Sequence, residues 1–477
     1  MKAKEKISSM SIEAKASVAY ILCSVIQRGA AILMLPVFTR VMTTEQYGLT
    51  SVYLSWVSFF AIILSLNLPY GSLQTAMVKF ENRRNEYIAS LEGIYILLAL
   101  LFVAIYLPFQ EFWNSLFGLP TILVISLVCE VFATSCIQSW MGMQRFSFKY
   151  KSVFLVTTTL AVCSQAIALA FVLCLDDKGV AKVVGSAFTT FVFGISIALM
   201  CARRGGGIIH KDLWRYALGF NIPLIVYYLS QVVFNQSDII MINYYAGADK
   251  AGIYSVAYSV SMVLTFVINA IQGSYTPWFY GKLVKHREIE DRGVAVSLSI
   301  GLALALFLVV LAAPEIVLLL GGPNYIEAIW VVPPVAASVL LLFYACLFDR
   351  LFFFYERKAY LTFAVVVPAL VNIVLNILLI PGFGYLAAGY TTLVSYLVLV
   401  ALDIALAFRL SRQVRFDMKA YAFKQLFVVF VVFVAASAVA MGLYACVLAR
   451  LLVFLLMVCV VIANKGKIIG MLHEIRK

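Results

Sequence analysis

Apolar runs long enough to carry a helix across a bilayer, roughly twenty residues, recur along the whole of this 477-residue chain. Hydrophobic residues make up 64% of it and charged residues 12%, against about 45–50% and 25% in soluble domains. Such a chain has too little polar surface to cover a water-exposed globule, so it reads as an all-α integral membrane protein. Soluble enzymes, secreted disulfide scaffolds and nucleic-acid binders are excluded.

Hydropathy places fourteen spans, at about 17–39, 47–69, 88–108, 119–140, 152–175, 179–200, 217–245, 251–277, 293–313, 328–348, 359–380, 384–408, 424–446 and 449–464. The net charge of +13 is concentrated on one side of them. Lys2, Lys4, Lys6 and Lys15 precede the first span, and every second loop is basic, as in Lys79, Arg83 and Arg84 or Arg203, Arg204, Lys211 and Arg215. The opposite side holds only Arg40, Lys178, Lys182, Lys250 and Arg450. Basic loops stay cytoplasmic, so both termini are expected there. The pattern survives only with an even number of spans. The first span is too long for a cleavable signal.

No hydrophilic segment is long enough to fold alone. Gly205-Gly206-Gly207 lacks the Lys-Ser/Thr of a phosphate loop and reads as a flexible linker. The nine cysteines fall singly in apolar segments, and His210, His286 and His473 lie in polar loops or the tail. That distribution predicts no metal site, no cofactor and no intramembrane histidine chemistry.

An internal repeat organises the chain. Glu45-Gln-Tyr-Gly48-Leu-Thr-Ser51-Val52-Tyr-Leu-Ser55 matches Asp249-Lys-Ala-Gly252-Ile-Tyr-Ser255-Val256-Ala-Tyr-Ser259 at an offset of 204 residues, and Gly185 and Gly389 repeat that offset. Duplication of a six-helix unit explains this. Two even-numbered units enter the membrane the same way round, as in transporters with a substrate site between lobes. The expected division is a lobe at 1–204, a cytoplasmic linker at 205–216, a second lobe at 217–410, and a loop, two added helices and a basic tail at 411–477.

Ionic groups inside a bilayer cost about 2.5–3.5 kcal/mol each and call for a partner, a water-filled cavity or a use. Arg28, preceded by Gln27, sits mid-span, too far from either surface for its head to snorkel easily, and is read as a cavity-facing cation. Asp238 follows Gln231, Asn235, Gln236 and Ser237, a run that serves as inter-helix glue, as a partner for Arg28, or as part of a cation or proton site. Glu130 and Asp403 are further acids in spans, suited to titration or to pairing. Asn269, Gln272, Asn372 and Asn376 read as helix-packing polar groups, and Asp349 with Arg350 as a local pair or cytoplasmic gate. Pro36, Pro223, Pro333, Pro334 and Pro368 fall within spans and permit bending.

Four passages resemble the polysaccharide-transport family of lipid-linked oligosaccharide flippases, the O-antigen or Wzx type of the multidrug/oligosaccharidyl-lipid/polysaccharide superfamily. They are Leu35–Gly48, Ser237–Ile242 with Ala251–Ser255, Leu320–Ala328, and Gly384–Gly389. The resemblance covers essentially the whole chain. It implies two six-helix lobes in a V around a central cavity. It also implies carriage of undecaprenyl-diphosphate-linked oligosaccharide to the outer leaflet of a bacterial inner membrane by alternating access, for O-antigen or capsule synthesis. Arg28 and Gln27 are then the expected diphosphate site, because an arginine fork offers bidentate bonds in exchange for lost water. Asp238, Glu130 and Asp403 are the expected coupling acids for H+ or Na+, and the polymerase machinery is an expected partner. Two alternatives remain: a multidrug or cation exporter of the same superfamily, and a membrane enzyme of glycan assembly. For the enzyme the chain lacks both a large outer loop and an intramembrane histidine.

Overall fold

A computed structural model describes residues 12–284, 292–414 and 418–463. His286, His473 and the basic residues beyond Ala463 lie outside them. The chain forms two compact units, Met1–Gly252 and Ile253–Lys477.

The first unit begins with α1 (Ile12–Val41) and α2 (Thr44–Ser65). Thr43 sets the turn between them: its hydroxyl accepts from the Gln46 N–H at 3.2 Å while the Gln46 amide oxygen accepts from the Thr43 N–H at 3.1 Å. A short α3 (Leu73–Lys79) leads to α4 (Arg84–Tyr106), an eight-residue α5 (Gln110–Phe117), and the long α6 (Thr121–Phe146), α7 (Tyr150–Cys174) and α8 (Lys178–Gly205). Helices α6, α7 and α8 pack on one another, α1 lies along α7, and α4 along α8. The α6–α8 crossing is close because both faces are small: a Cβ on Gly194 would overlap Ala133. Without a hydrophobic drive between helices in lipid, such close approach supplies the dispersion contact that holds them.

Next come α9 (Lys211–Asn221), a single turn at Ile222–Leu224 made by Pro223, and α10 (Ile225–Met262). Gly247, at φ 88° and ψ 165°, breaks α10 where only glycine is comfortable, and there the seventh span gives way to the eighth. The second unit continues with α11 (Thr265–Val284), α12 (Arg292–Leu311), an eight-residue α13 (Ala313–Leu320), α14 (Val332–Phe354), α15 (Lys358–Phe383), α16 (Leu386–Val414), α17 (Phe423–Gly442) and α18 (Val447–Ala463). Helix α14 is the core element, buried along nearly its whole length, with α16, α12 and α17 against it.

All fourteen expected spans coincide with helices. Among the described residues twelve stretches are long and apolar enough to cross a membrane, one of them, Lys211–Val284, containing the break at Gly247, and Val447–Cys459 is a shorter apolar helix. The duplication shows in the element order, since α5 and α13 each stand between long helices. It shows again in the turns before α7 and α15. Phe148 and Glu356 both take positive φ, at 52° and 53°. The next residue in each turn bonds back in the same way, Lys149 N–H to Gln144 O at 2.9 Å and Arg357 N–H to Phe352 O at 2.8 Å.

Two expectations change. Gly205–Gly207 is a shaped helix end: Gly205 is buried, where a Cβ would stand 2.9 Å from Asn85 O, and Gly206 caps α8 at φ 70°. Pro333 and Pro334 open α14 instead of bending a span, because proline is tolerated in a first helical turn.

Candidate functional site

Helix α1 turns Ala16, Cys23 and Phe38 inward, and these are buried. Gln27, four residues after Cys23, shares that face, Arg28 is turned away from it, and both are exposed. Gln27 reaches a cavity of about 230 Å³ inside the first unit, whose lining is half apolar, from Ile137, Met141 and Leu160, and half polar, from Thr134 and Gln138 of α6, Thr157 and Gln165 of α7, and Thr190 of α8. Helical spacing aims Thr134 and Gln138 the same way, since residues four apart share a face. Arg28 does not line this cavity, nor do Glu130 and Asp238. The Gln138, Gln165 and Thr190 contribution is absent from the sequence reading; the signal was a hydrophilic residue on several consecutive spans at matching depth.

The acids occupy separate places. The Tyr53 hydroxyl donates to Glu130 Oε2 at 2.7 Å, tying α2 to α6. Asp238 is buried, and the run before it is largely engaged within the first unit: Ser55 donates to Gln236 Oε1 at 3.1 Å and the Asn235 amide to Gln231 O at 2.6 Å. Glu92 of α4 escaped the sequence reading because it stands only two turns inside its span. It is 1% exposed, with its carboxylate against the Cys201 thiol.

In the second unit Arg350 is buried and fixed. Its Nε donates to Gln272 Oε1 at 3.0 Å, a second nitrogen donates to the same oxygen, and the guanidinium lies 3.9 Å from the Tyr275 ring centroid. Asp349 and Asp403 are close enough for their charges to interact, and Asp403 is fully buried with neither oxygen hydrogen-bonded. The Asn376 amide donates to Asn372 Oδ1 at 3.2 Å and Thr391 donates to Asn376, so these amides join α15 to α16.

Two cations counted on the outer side, Lys182 and Arg450, stand in the first turns of helices, within the spans expected at 179–200 and 449–464. Lys182 of α8 has its ammonium 4.5 Å from the Phe38 ring centroid and 4.4 Å from that of Tyr47. Arg450 of α18 is buried against Glu315. Lys182 and Arg350 thus join Arg28 as basic residues carried on helices long and apolar enough to span, and Arg450 stands on the shorter apolar α18. Arg350 fell just outside the span expected at 328–348 because hydropathy ends a span at its last apolar run, whereas the helix runs on to Phe354.

Residues 14–281 match the family described as polysaccharide biosynthesis protein, more than half of the chain. The chain belongs to the polysaccharide biosynthesis protein family. Lsg locus protein 1 of Haemophilus influenzae is 22% identical over 276 residues, 56% of this chain and 66% of its own length, just under two thirds. Among solved structures, the fold resembles the inward closed conformation of lipid II flippase MurJ, with a TM-score of 0.63, 13% identity, and coverage of 95% of this chain and 100% of that one. It also resembles the inward-facing conformation of a multidrug resistance MATE family transporter of the MOP superfamily, at 0.59 and 12% identity, over 83% of this chain and 99% of that one. This family member therefore has the helical transporter fold shared by MurJ and MATE proteins.

Proposed function

We propose that this protein is a flippase for lipid-linked oligosaccharide. It carries undecaprenyl-diphosphate-linked repeat units from the cytoplasmic to the outer leaflet of a bacterial inner membrane by alternating access, supplying O-antigen or capsule synthesis. One observation carries the reading. The likeness to the lipid II flippase leaves only a twentieth of the chain unmatched, less than α17 and α18 occupy together, so it reaches into the helices beyond the second group of six. Family membership supplies the link to polysaccharide.

Arg28 supports the same reading on physical grounds. An arginine at mid-span with an exposed head is tolerated where it lines a water-filled path, and its planar fork suits a diphosphate that has shed water. Gln27 beside it is the second proposed contact. Asp238, Glu130 and Asp403 are the proposed coupling acids for H+ or Na+, and Asp349 with Arg350 the proposed cytoplasmic gate. The proposed working division remains lobes at 1–204 and 217–410, with both termini in the cytoplasm.

The test is mass spectrometry of lipid extracts from cells lacking the protein, with the glycan probed from each side of sealed vesicles. Complete lipid-linked repeat units should accumulate on the cytoplasmic face. An unchanged lipid profile with altered tolerance to cationic drugs would replace this reading with the exporter.

A further inference from the structure

At the end of the first unit where α4 and α7 begin and α8 ends, a second cavity of about 240 Å³ opens, lined by Arg84, Lys149 and Arg204 together with Glu81, Asn85 and Gln144. Three cations face one acid. That acid is a weak competitor: the Glu81 side chain is 74% exposed, and its carboxylate is 3.5 Å from Arg84 Nη2. Among the described residues Lys149 and Arg204 form no ion pair. Arg84, by contrast, is held in place, with Nε donating to Met77 O at 2.8 Å and the guanidinium 4.7 Å from the Phe146 ring centroid. Among the described residues its Nη1 has no acceptor, so a fixed donor is available to a ligand.

The preference for cytoplasmic basic loops accounts for the presence of these residues but not for their arrangement. That preference needs only charge near a span end. Here three loops that are distant in sequence deliver one cation each to a single concavity, and the tight turn at Phe148, with positive φ, is what brings Lys149 round to it. The first turns of α4 and α7 add their partial positive charge. None of the lining side chains is aromatic, so nothing is placed to stack a nucleobase.

We infer that this cavity binds a phosphoryl group at the membrane surface, with Arg84, Lys149 and Arg204 as its ligands. The chemistry is that of a phosphate or diphosphate ester, borne either by an anionic lipid of the bilayer or by the head of a lipid-linked cargo. The inference is independent of the flippase reading, since a structural lipid would occupy the same donors.

The experiment uses the full chain in two arms: titration with inorganic diphosphate in detergent, and retention of phosphatidylglycerol against phosphatidylcholine by native mass spectrometry. Lys149 and Arg204 are exposed, so the double variant Lys149→Gln/Arg204→Gln should fold. It should bind at least about tenfold more weakly, the loss expected when charge-assisted contacts go. The double variant Lys211→Gln/Arg215→Gln removes equal charge from the same end outside the cavity and should bind as the parent does. Loss confined to diphosphate supports the site and identifies a cargo head; loss confined to phosphatidylglycerol supports it and identifies a bilayer lipid. Parent-like binding of both probes by the Lys149/Arg204 variant, or an equal loss in the Lys211/Arg215 control, overturns the inference.

Discussion

Gly48 and Gly252, aligned by the internal repeat at an offset of 204 residues, lie against each other in the folded chain. A Cβ on Gly48 would overlap the Ala248 carbonyl oxygen, and one on Gly252 would overlap Thr44 O and stand 2.9 Å from Gly48 N. Beside them Thr44 donates to the carboxylate of Asp249, the acid that recurs in the repeat. The two copies of one turn therefore pack on each other through the residue that duplication kept small. Gly48→Ala and Gly252→Ala should each destabilise the protein by about 1–3 kcal/mol, the usual effect of overpacking. Gly29→Ala, with open space around it, should not. Thermal unfolding in detergent compares the three, and equal midpoints would remove the contact.

The docking of α9 is predicted to depend on one side chain. Asn221 is fully buried, and its amide donates to Ser72 Oγ at 2.8 Å and to Ala217 O at 3.0 Å, while Ser72 shares a 2.7 Å hydrogen bond with Tyr87. Asn221→Ala breaks this chain between α9 and α4 and should weaken α9 docking by about 1–3 kcal/mol. Limited proteolysis should then cut faster near Gly205–Gly207. A cutting rate equal to the parent's would show that α9 is held by its apolar face alone.

The pair between α18 and α13 predicts an unequal response. Arg450 is 3% exposed and donates to Tyr444 O at 3.1 Å as well as to Glu315, whose side chain is 47% exposed. Glu315→Ala strands a buried cation and should destabilise by about 3–5 kcal/mol. Arg450→Met leaves an acid that water can reach and fills the space with an apolar chain, so it should be milder. Unfolding midpoints in detergent in the reverse order would mean that the pair does not carry the contact.

How far the sequence reveals this molecule depends on the kind of signal. Spans were legible because burial in lipid acts on every residue of a helix, and the repeat was legible because its turn carries polar and glycine residues that composition alone does not supply. Lys182 and Arg450 could be placed near span ends but not given a role, because hydropathy averages over a window, whereas a single cation is settled by what stands beside it: Phe38 and Tyr47 for one, Glu315 for the other. The cavity at Gln27 and the cluster at Arg350 required helix rotation, which no one-dimensional pattern specifies when a helix is apolar all round.

Arg28 supplies the last prediction. A fork offers two parallel charge-assisted bonds to a phosphate, whereas an ammonium acts as a point charge. Arg28→Ala should therefore reduce glycan export by roughly tenfold or more, and Arg28→Lys by less, because charge persists while the bidentate geometry is lost. Gln27→Ala should have a smaller effect than either, since a neutral amide contributes about 1 kcal/mol. Export is read as surface glycan restored to cells lacking the protein, with membrane insertion of each variant measured alongside. Parental export by both Arg28→Ala and Arg28→Lys would take the diphosphate contact away from α1, and equal loss in the two would show that the fork, not the charge, is what the cargo requires.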